Sequence, residues 1–352
     1  ASDVYKRQYY GRGTADNKGQ HTINLAALDA VLKARGSLGF NAKWLIEMGE
    51  ETGSRGLREV CETNKPLLKA DVFIASDGPR LSAERPTVFL GSRGCAAIDM
   101  WIDAREGGHH SGNWGGLLSS PAIQLVHALS TITDAKGCIL VPELRPDRIS
   151  NSVRAALADC KIETAPGDPE IDPAWGEPGL SLAEKVFGWC AFEILAMTSG
   201  VPESPVNAIP PRAWARTQVR FVVGVDPKGF VPALRRHLDK HGFPMVQVAS
   251  APGDEIMHAT RLDPDHPWVK WSVASIAKTT GAPPAILPNL GGSLPNDIFA
   301  DVLGLPTVWV PHSYPGCSQH APNEHLPKAL AREALQIMAG LYWDLGEPGT
   351  PR

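Results

Sequence analysis

The 352-residue chain has six cysteines but no C-x-x-C pair and no regular cysteine spacing. Cys61, Cys95, Cys138, Cys160, Cys190 and Cys317 are scattered, which argues against a disulfide framework and against a thiolate zinc knuckle. Reduced, mostly buried thiols in a cytoplasmic protein are expected instead. Long apolar runs are also missing, so nothing here resembles the stretch of about 20 residues that crosses a bilayer as a helix. A net charge of −4, with 20% charged residues, argues against nucleic acid or an anionic membrane surface as the main partner. Internal repeats and low-complexity tracts are absent as well.

What is present is ordinary globular composition, 43% hydrophobic, on a chain longer than one core usually supports. Two domains are therefore expected. The 34 glycines and 31 prolines suit many short connections rather than a helical bundle.

The N-terminus is anomalous. Asp3 to Gln8 reads DVYKRQ, the translation of bases that resemble a common sequencing-library adaptor. Ala1 to Gln8 are expected to be non-native, with native sequence missing before Tyr9. An uninterrupted genomic reading frame through that segment would refute this.

From Gly19 onward, apolar residues recur at helical spacing through Ile23, Ala26, Leu28, Val31 and Leu32, and stop at Gly36. A strand is expected over Lys43 to Met48, a helix over Gly56 to Asn64 and a strand over Ala70 to Ala75. This alternation predicts an α/β doubly wound sheet, in which ligands gather at the carboxyl ends of the strands. From about Thr87 the pattern changes to strands over Val88 to Ile102, Ala213 to Val225 and Met245 to Ala251. Helices over Ser119 to Ile132 and Pro227 to Gly242 accompany them, and Leu180 to Met197 is expected to contain another. The α/β rhythm returns with helices over Pro267 to Thr280, Asn296 to Leu303 and Pro327 to Leu345, and strands over Ala285 to Pro288 and Thr307 to Pro311. A sheet domain made of residues 1–90 and 260–352 is thus expected, interrupted by a smaller α+β lid or dimerisation domain at 91–259.

The chemistry is concentrated in the first of these. Glu50 and Glu51, in LIEMGEETG, end an apolar run, where two adjacent carboxylates repel each other unless a cation lies between them. Asp16 lies in YYGRGTADNKG, Asp77 follows the next expected strand, and His320 follows the strand TVWVP. All would fall at one edge of the same sheet. Carboxylates with one imidazole suit a divalent cation such as zinc.

Taken together, GRGTADNKG, GEETGSRG, SDG, HHSGNWGG, GGSLP and HAPNE resemble the co-catalytic zinc exopeptidases. These include carnosinase-type dipeptidases, carboxypeptidase G, aminoacylases and succinyl-diaminopimelate desuccinylase. The resemblance covers nearly the whole chain after Tyr9, with six motifs in order. It implies that Asp16 bridges two divalent ions, zinc with manganese or cobalt as alternatives. Glu51 and His320 would complete one ion's ligands and Asp77 would bind the other. Glu50 would be the general base, passing a proton from water to the leaving amine. His110, in the lid domain, would reach the partner subunit's active site and stabilise the oxyanion there. Gly291, Gly292 and Ser293, before a helix, would meet the substrate carboxylate with backbone N–H groups, joined by Arg220, while Asn207 would orient a carbonyl.

The family also takes a histidine for its second ion from a strand upstream of GRG-x-x-D, and Ala1 to Tyr10 contain none. An incomplete second site is therefore expected. His325 sits inside NEHLP, but the family's H-x-x-N-E pattern places the ligand at His320, with Asn323 and Glu324 read as its supports. The implied reaction is hydrolysis of an amide bond beside a free carboxylate, by a homodimer acting on small peptides. An N-acyl or N-carbamoyl amino-acid amidohydrolase is the alternative, and a scaffold without catalysis is the alternative of another class.

Overall fold

Residues Lys18–Arg35 form the helix that the periodicity demands, burying Ile23, Ala27 and Val31 on one face. Each large side chain fully buried this way contributes about 1.5–3 kcal/mol. Gly36 stops the helix in the left-handed conformation (φ 79°), its N–H donating to the Leu32 carbonyl. The computed structural model describes residues 2–3, 7–162, 169–253 and 255–351. Of Ala1 to Gln8, the segment expected to be non-native, Ala1 and Val4 to Lys6 lie outside these.

The chain divides into two units. The first comprises Ala1–Ser92, Ser150–Ile171 and Thr260–Arg352. Its sheet runs in the order Ala285–Leu287, Thr87–Phe89, Thr307–Trp309, Phe73–Ala75. The two outer pairs are parallel and the central pair is antiparallel, so the sheet is mixed. Val88, Leu90, Val308 and Val310 pack against the helices Lys18–Arg35, Pro267–Thr280 and Lys328–Leu345 to form the core. The expected helix near Asn296 is a short π-helical segment, Ile298–Val302, whose Phe299 stacks on Phe73 at 4.2 Å.

Two expectations are corrected here. Lys43 to Met48 form no strand. An extended segment becomes a strand only where a neighbour completes its hydrogen bonds, and none pairs with it among the described residues. Trp44, Leu45, Ile46 and Met48 are exposed, Met48 to 85%. The second correction concerns Ser150–Ile171, which falls within the expected 91–259 insert but belongs to the first unit. Its cysteine Cys160 is buried, with Sγ directed at the Ile286 carbonyl.

The second unit, Arg93–Ile149 with Asp172–Ala259, is an antiparallel sheet in the order Gln247–Ser250, Gly94–Asp103, Arg212–Phe221, Ala191–Ser199. Burial alternates strictly along Arg212–Phe221, as a one-sided sheet requires. Helices Pro121–Leu129 and Phe230–Lys240 contribute Leu125, Leu129, Leu234 and Leu238 to the same core as Ile98 and Met100. A Cβ on Gly94 would meet the Phe221 ring at 2.2 Å, so only glycine fits there. The edge strand Ala191–Ser199, within a region where a helix was expected, was not legible from the Pro/Gly-rich surroundings; the helix itself is shorter, Leu182–Phe187.

Candidate metal centre

A small ribbon sets the two ends of the first unit side by side. Gln8–Tyr10 pairs antiparallel with His325–Pro327, and the Gly11 N–H continues the ladder to the Glu324 carbonyl at 3.0 Å. One strand leads into the loop carrying Asp16, and the other follows the loop carrying His320. The loops therefore meet although more than 300 residues separate them in sequence. Gly13 turns the first loop in the left-handed conformation (φ 90°), and the Asp16–Asn17 peptide is cis. In the second loop Ser318, His320 and Asn323 all have positive φ, from 57° to 65°. Such backbone persists in non-glycine residues only where surrounding contacts enforce it.

The Glu-Glu pair sits in a single 3₁₀ turn, Glu50–Thr52, between Gly49 and a left-handed Gly53. The Gly53 N–H donates to the Glu50 carbonyl at 2.9 Å and the Ser54 N–H to Gly49 at 2.9 Å. This turn brings Glu51 to the two loops. His320 Nε2 lies 2.7 Å from Asp16 Oδ2 and 3.0 Å from Glu51 Oε2. The ligand atoms of Asp16, Glu51 and His320 all lie within 4.8 Å of one another, the only such group of metal-competent side chains among the described residues. Two carboxylates and an imidazole so placed fit one divalent cation.

Asp77 is half-buried, its Oδ1 accepting from its neighbour's Gly78 N–H at 2.6 Å, while Asn17 Nδ2 donates to the Ser76 carbonyl at 2.9 Å. Burial pushes the Asp77 carboxyl up to about 6; the Gly78 bond opposes this and the charge of Asp16 adds to it. Glu50 is pushed up to about 7, by burial first and then by Asp77, Glu51 and Asp16. Asp16 is raised by burial and by Glu51, against the pull of His320 and Arg12. The cluster is thus short of positive charge, which is the electrostatic signature of a cation site. Asp16, Glu50, Glu51 and Asp77 line a cavity of about 1070 Å³, together with Trp268, Phe299 and Trp309.

The raised Glu50 carboxyl has a stability consequence. It binds its proton more tightly folded (about 7) than at its ordinary value of 4.5. Its contribution is therefore complete below about pH 4.5 and is lost as pH rises through 7. In metal-free protein at pH 8, Glu50→Gln is expected to be more stable than wild type by on the order of 2 kcal/mol. The advantage should vanish towards pH 5. Urea unfolding at both pH values checks this, and a variant less stable at pH 8 would contradict it.

The remaining expected residues are distributed as follows. Gly291–Ser293 form a bend between buried Leu290 and Leu294, and Leu294 lines the same cavity. In the second unit, His110 and Asn207 are neighbours: His110 pairs with Ala208, and the Ser111 N–H donates to the Asn207 carbonyl at 3.0 Å. His110 Nδ1 accepts the Gly112 N–H at 3.1 Å. Arg220 lies on the strand Arg212–Phe221, with Nε donating to Gln218 Oε1 at 3.0 Å. His325 turns away, Nδ1 against the Asn323 carbonyl and its ring 5.4 Å from that of Tyr10. Arg12 pairs with both Glu51 and Glu324. Asn17, beside Asp77, carries no sequence signal that would have marked it.

This architecture, a mixed-sheet unit bearing a carboxylate–imidazole cluster and interrupted by an α+β unit, defines a metallohydrolase class. The model of Peptidase family M20/M25/M40 matches residues 2–344, and the chain belongs to that family, a family of hydrolases acting on peptide bonds. Human Beta-Ala-His dipeptidase is 22% identical over 96% of this chain and 68% of its own length. The Cys-Gly metallodipeptidase of Candida albicans is 27% identical, covering 92% and 69% respectively. In fold, the chain is similar to an M20 family metallo-carboxypeptidase from Sulfolobus solfataricus, with a TM-score of 0.79 at 24% identity, covering 97% of this chain and 78% of that one.

Proposed function

We propose that the chain is a metal-dependent dipeptidase that cleaves the amide bond of a small peptide beside its free carboxylate. The observation that carries this reading is the approach of His320 Nε2 to Asp16 and Glu51 at 2.7 and 3.0 Å, beside the proton-avid Glu50. Asp16, Glu51 and His320 would hold one zinc ion, and Asp16 with Asp77 would take part in holding a second. Bound there, the metal would lower the pKa of water and polarise the scissile carbonyl. Glu50 would accept the proton of the attacking water and return it to the departing amine. The family resemblance would further assign His110, whose counterpart serves the partner subunit's active site, to the developing oxyanion, Asn207 to the carbonyl, and Arg220 and the Gly291–Ser293 bend to the substrate carboxylate.

The names of the similar proteins, Beta-Ala-His dipeptidase and Cys-Gly metallodipeptidase, support dipeptides over N-acyl amino acids. A homodimer would form through the second unit, where Ile194, Leu195 and Met197 of the edge strand are exposed. Six free cysteines, four of them buried, support a reducing cytoplasmic compartment.

Dipeptides and N-acyl or N-carbamoyl amino acids, assayed side by side with zinc, manganese or cobalt, test the reading. Dipeptides should be preferred by on the order of tenfold or more in kcat/KM, the scale of a single lost pocket contact. Preference for the acylated compounds would assign the protein to the deacylases.

A further inference from the structure

Glu324 follows His320 by four residues, yet its carboxylate is directed entirely at the other ligand loop. Oε1 accepts the backbone N–H groups of Gly13, Ala15 and Asp16 at 2.9, 3.0 and 3.0 Å. Oε2 accepts Arg12 Nη1 at 3.0 Å, and that same nitrogen reaches the Asp16 carbonyl at 2.7 Å. The side chain is buried, and its backbone carbonyl receives the Gly11 N–H. Three convergent amides and a guanidinium make a cradle that a carboxylate fills and a neutral amide does not. A glutamine has one carbonyl oxygen for the amides and would turn an NH₂ group towards Arg12.

We propose that Glu324 is the positioning residue of the metal centre. Without touching the ion, it fixes the backbone from Gly13 to Asp16 and so aims the Asp16 carboxylate at His320 and Glu51. Because it stands on the His320 loop, one side chain sets the separation of two ligands that come from opposite ends of the sequence. This rests on the reading of Asp16 and His320 as ligands.

Zinc affinity measured by competition with a chromophoric chelator, together with the visible absorption of cobalt-substituted protein, tests it. Glu324→Gln should weaken zinc binding about 10–100-fold, the scale for groups that orient metal ligands, and should change the cobalt spectrum. A variant that loses only unfolding midpoint, with wild-type zinc affinity and an unaltered spectrum, would make Glu324 a fold clasp and overturn the proposal. Glu324→Asp keeps the charge but is one methylene too short to span amides and Arg12 together. Should the glutamine change prevent folding, the aspartate change decides, by the same loss or the same indifference. Wild-type protein that takes up no zinc would instead sink the metal reading itself.

Discussion

Glu50→Gln is expected to lower kcat by about 10³-fold while leaving metal content unchanged, a loss within the range for a removed general acid–base. Glutamine has the shape of glutamate but cannot accept a proton. The turn that presents Glu51 is held by backbone bonds among Gly49, Glu50, Gly53 and Ser54, none of which uses the Glu50 carboxylate. The neighbouring ligand should therefore stay in place. Together with the expected gain in metal-free stability at pH 8, this is the trade of an active-site group whose charge is unfavourable in the fold and needed in the reaction. Turnover and metal content measured on the same preparation decide it. Unchanged turnover would remove Glu50 from the general-base role, and metal-loaded wild-type protein without turnover would favour a scaffold that retains the fold without the chemistry.

His320→Ala should have the largest effect on metal binding. His320 supplies the only nitrogen in the cluster, and its removal leaves Asp16 and Glu51 facing each other with Arg12 as the nearby cation. Sharing a zinc-site free energy of about 10–16 kcal/mol among four ligands implies a loss of roughly 100-fold or more in affinity, and turnover should fall with it. His325→Ala is the matched comparison. It lies five residues on, contacts Tyr10 and the Asn323 carbonyl, and should leave zinc affinity unchanged. Calorimetric titration of both variants checks the pair; loss of affinity in His325→Ala and not in His320→Ala would reverse the assignment.

Much of this was readable in advance, for physical reasons. The helix Lys18–Arg35 announces itself by apolar spacing and a terminal glycine, because both are local properties. Asp16, Glu50, Glu51, Asp77 and His320 were expected together at one sheet edge, with ligand roles implied by the family resemblance; of these, Asp16, Glu51 and His320 come within one ligand geometry. Asp77 and Glu50 stand outside that geometry but line the same cavity. What the sequence withheld was non-local. Whether Lys43 to Met48 becomes a strand depends on a neighbour, which no local pattern encodes. The same holds for Ser150–Ile171, which belongs to the first unit, where Cys160 faces the Ile286 carbonyl and Asp159 pairs with Arg85. Glu324 was read as a prop for its own loop; its true partners, the amides of Gly13, Ala15 and Asp16, are invisible in a side-chain alphabet.

The bare stretch from Trp44 to Met48 has a practical consequence. Four greasy side chains stand in water near the cavity that Phe73 to Ala75 also lines, and that strand forms the open rim of its sheet among the described residues. An adhesive β-prone ribbon beside an unfinished ladder is the arrangement from which cross-chain stacking begins. Concentrated solutions of this polypeptide will accordingly tend to clump through that rim, and a single charge introduced at Ile46 would act as a gatekeeper.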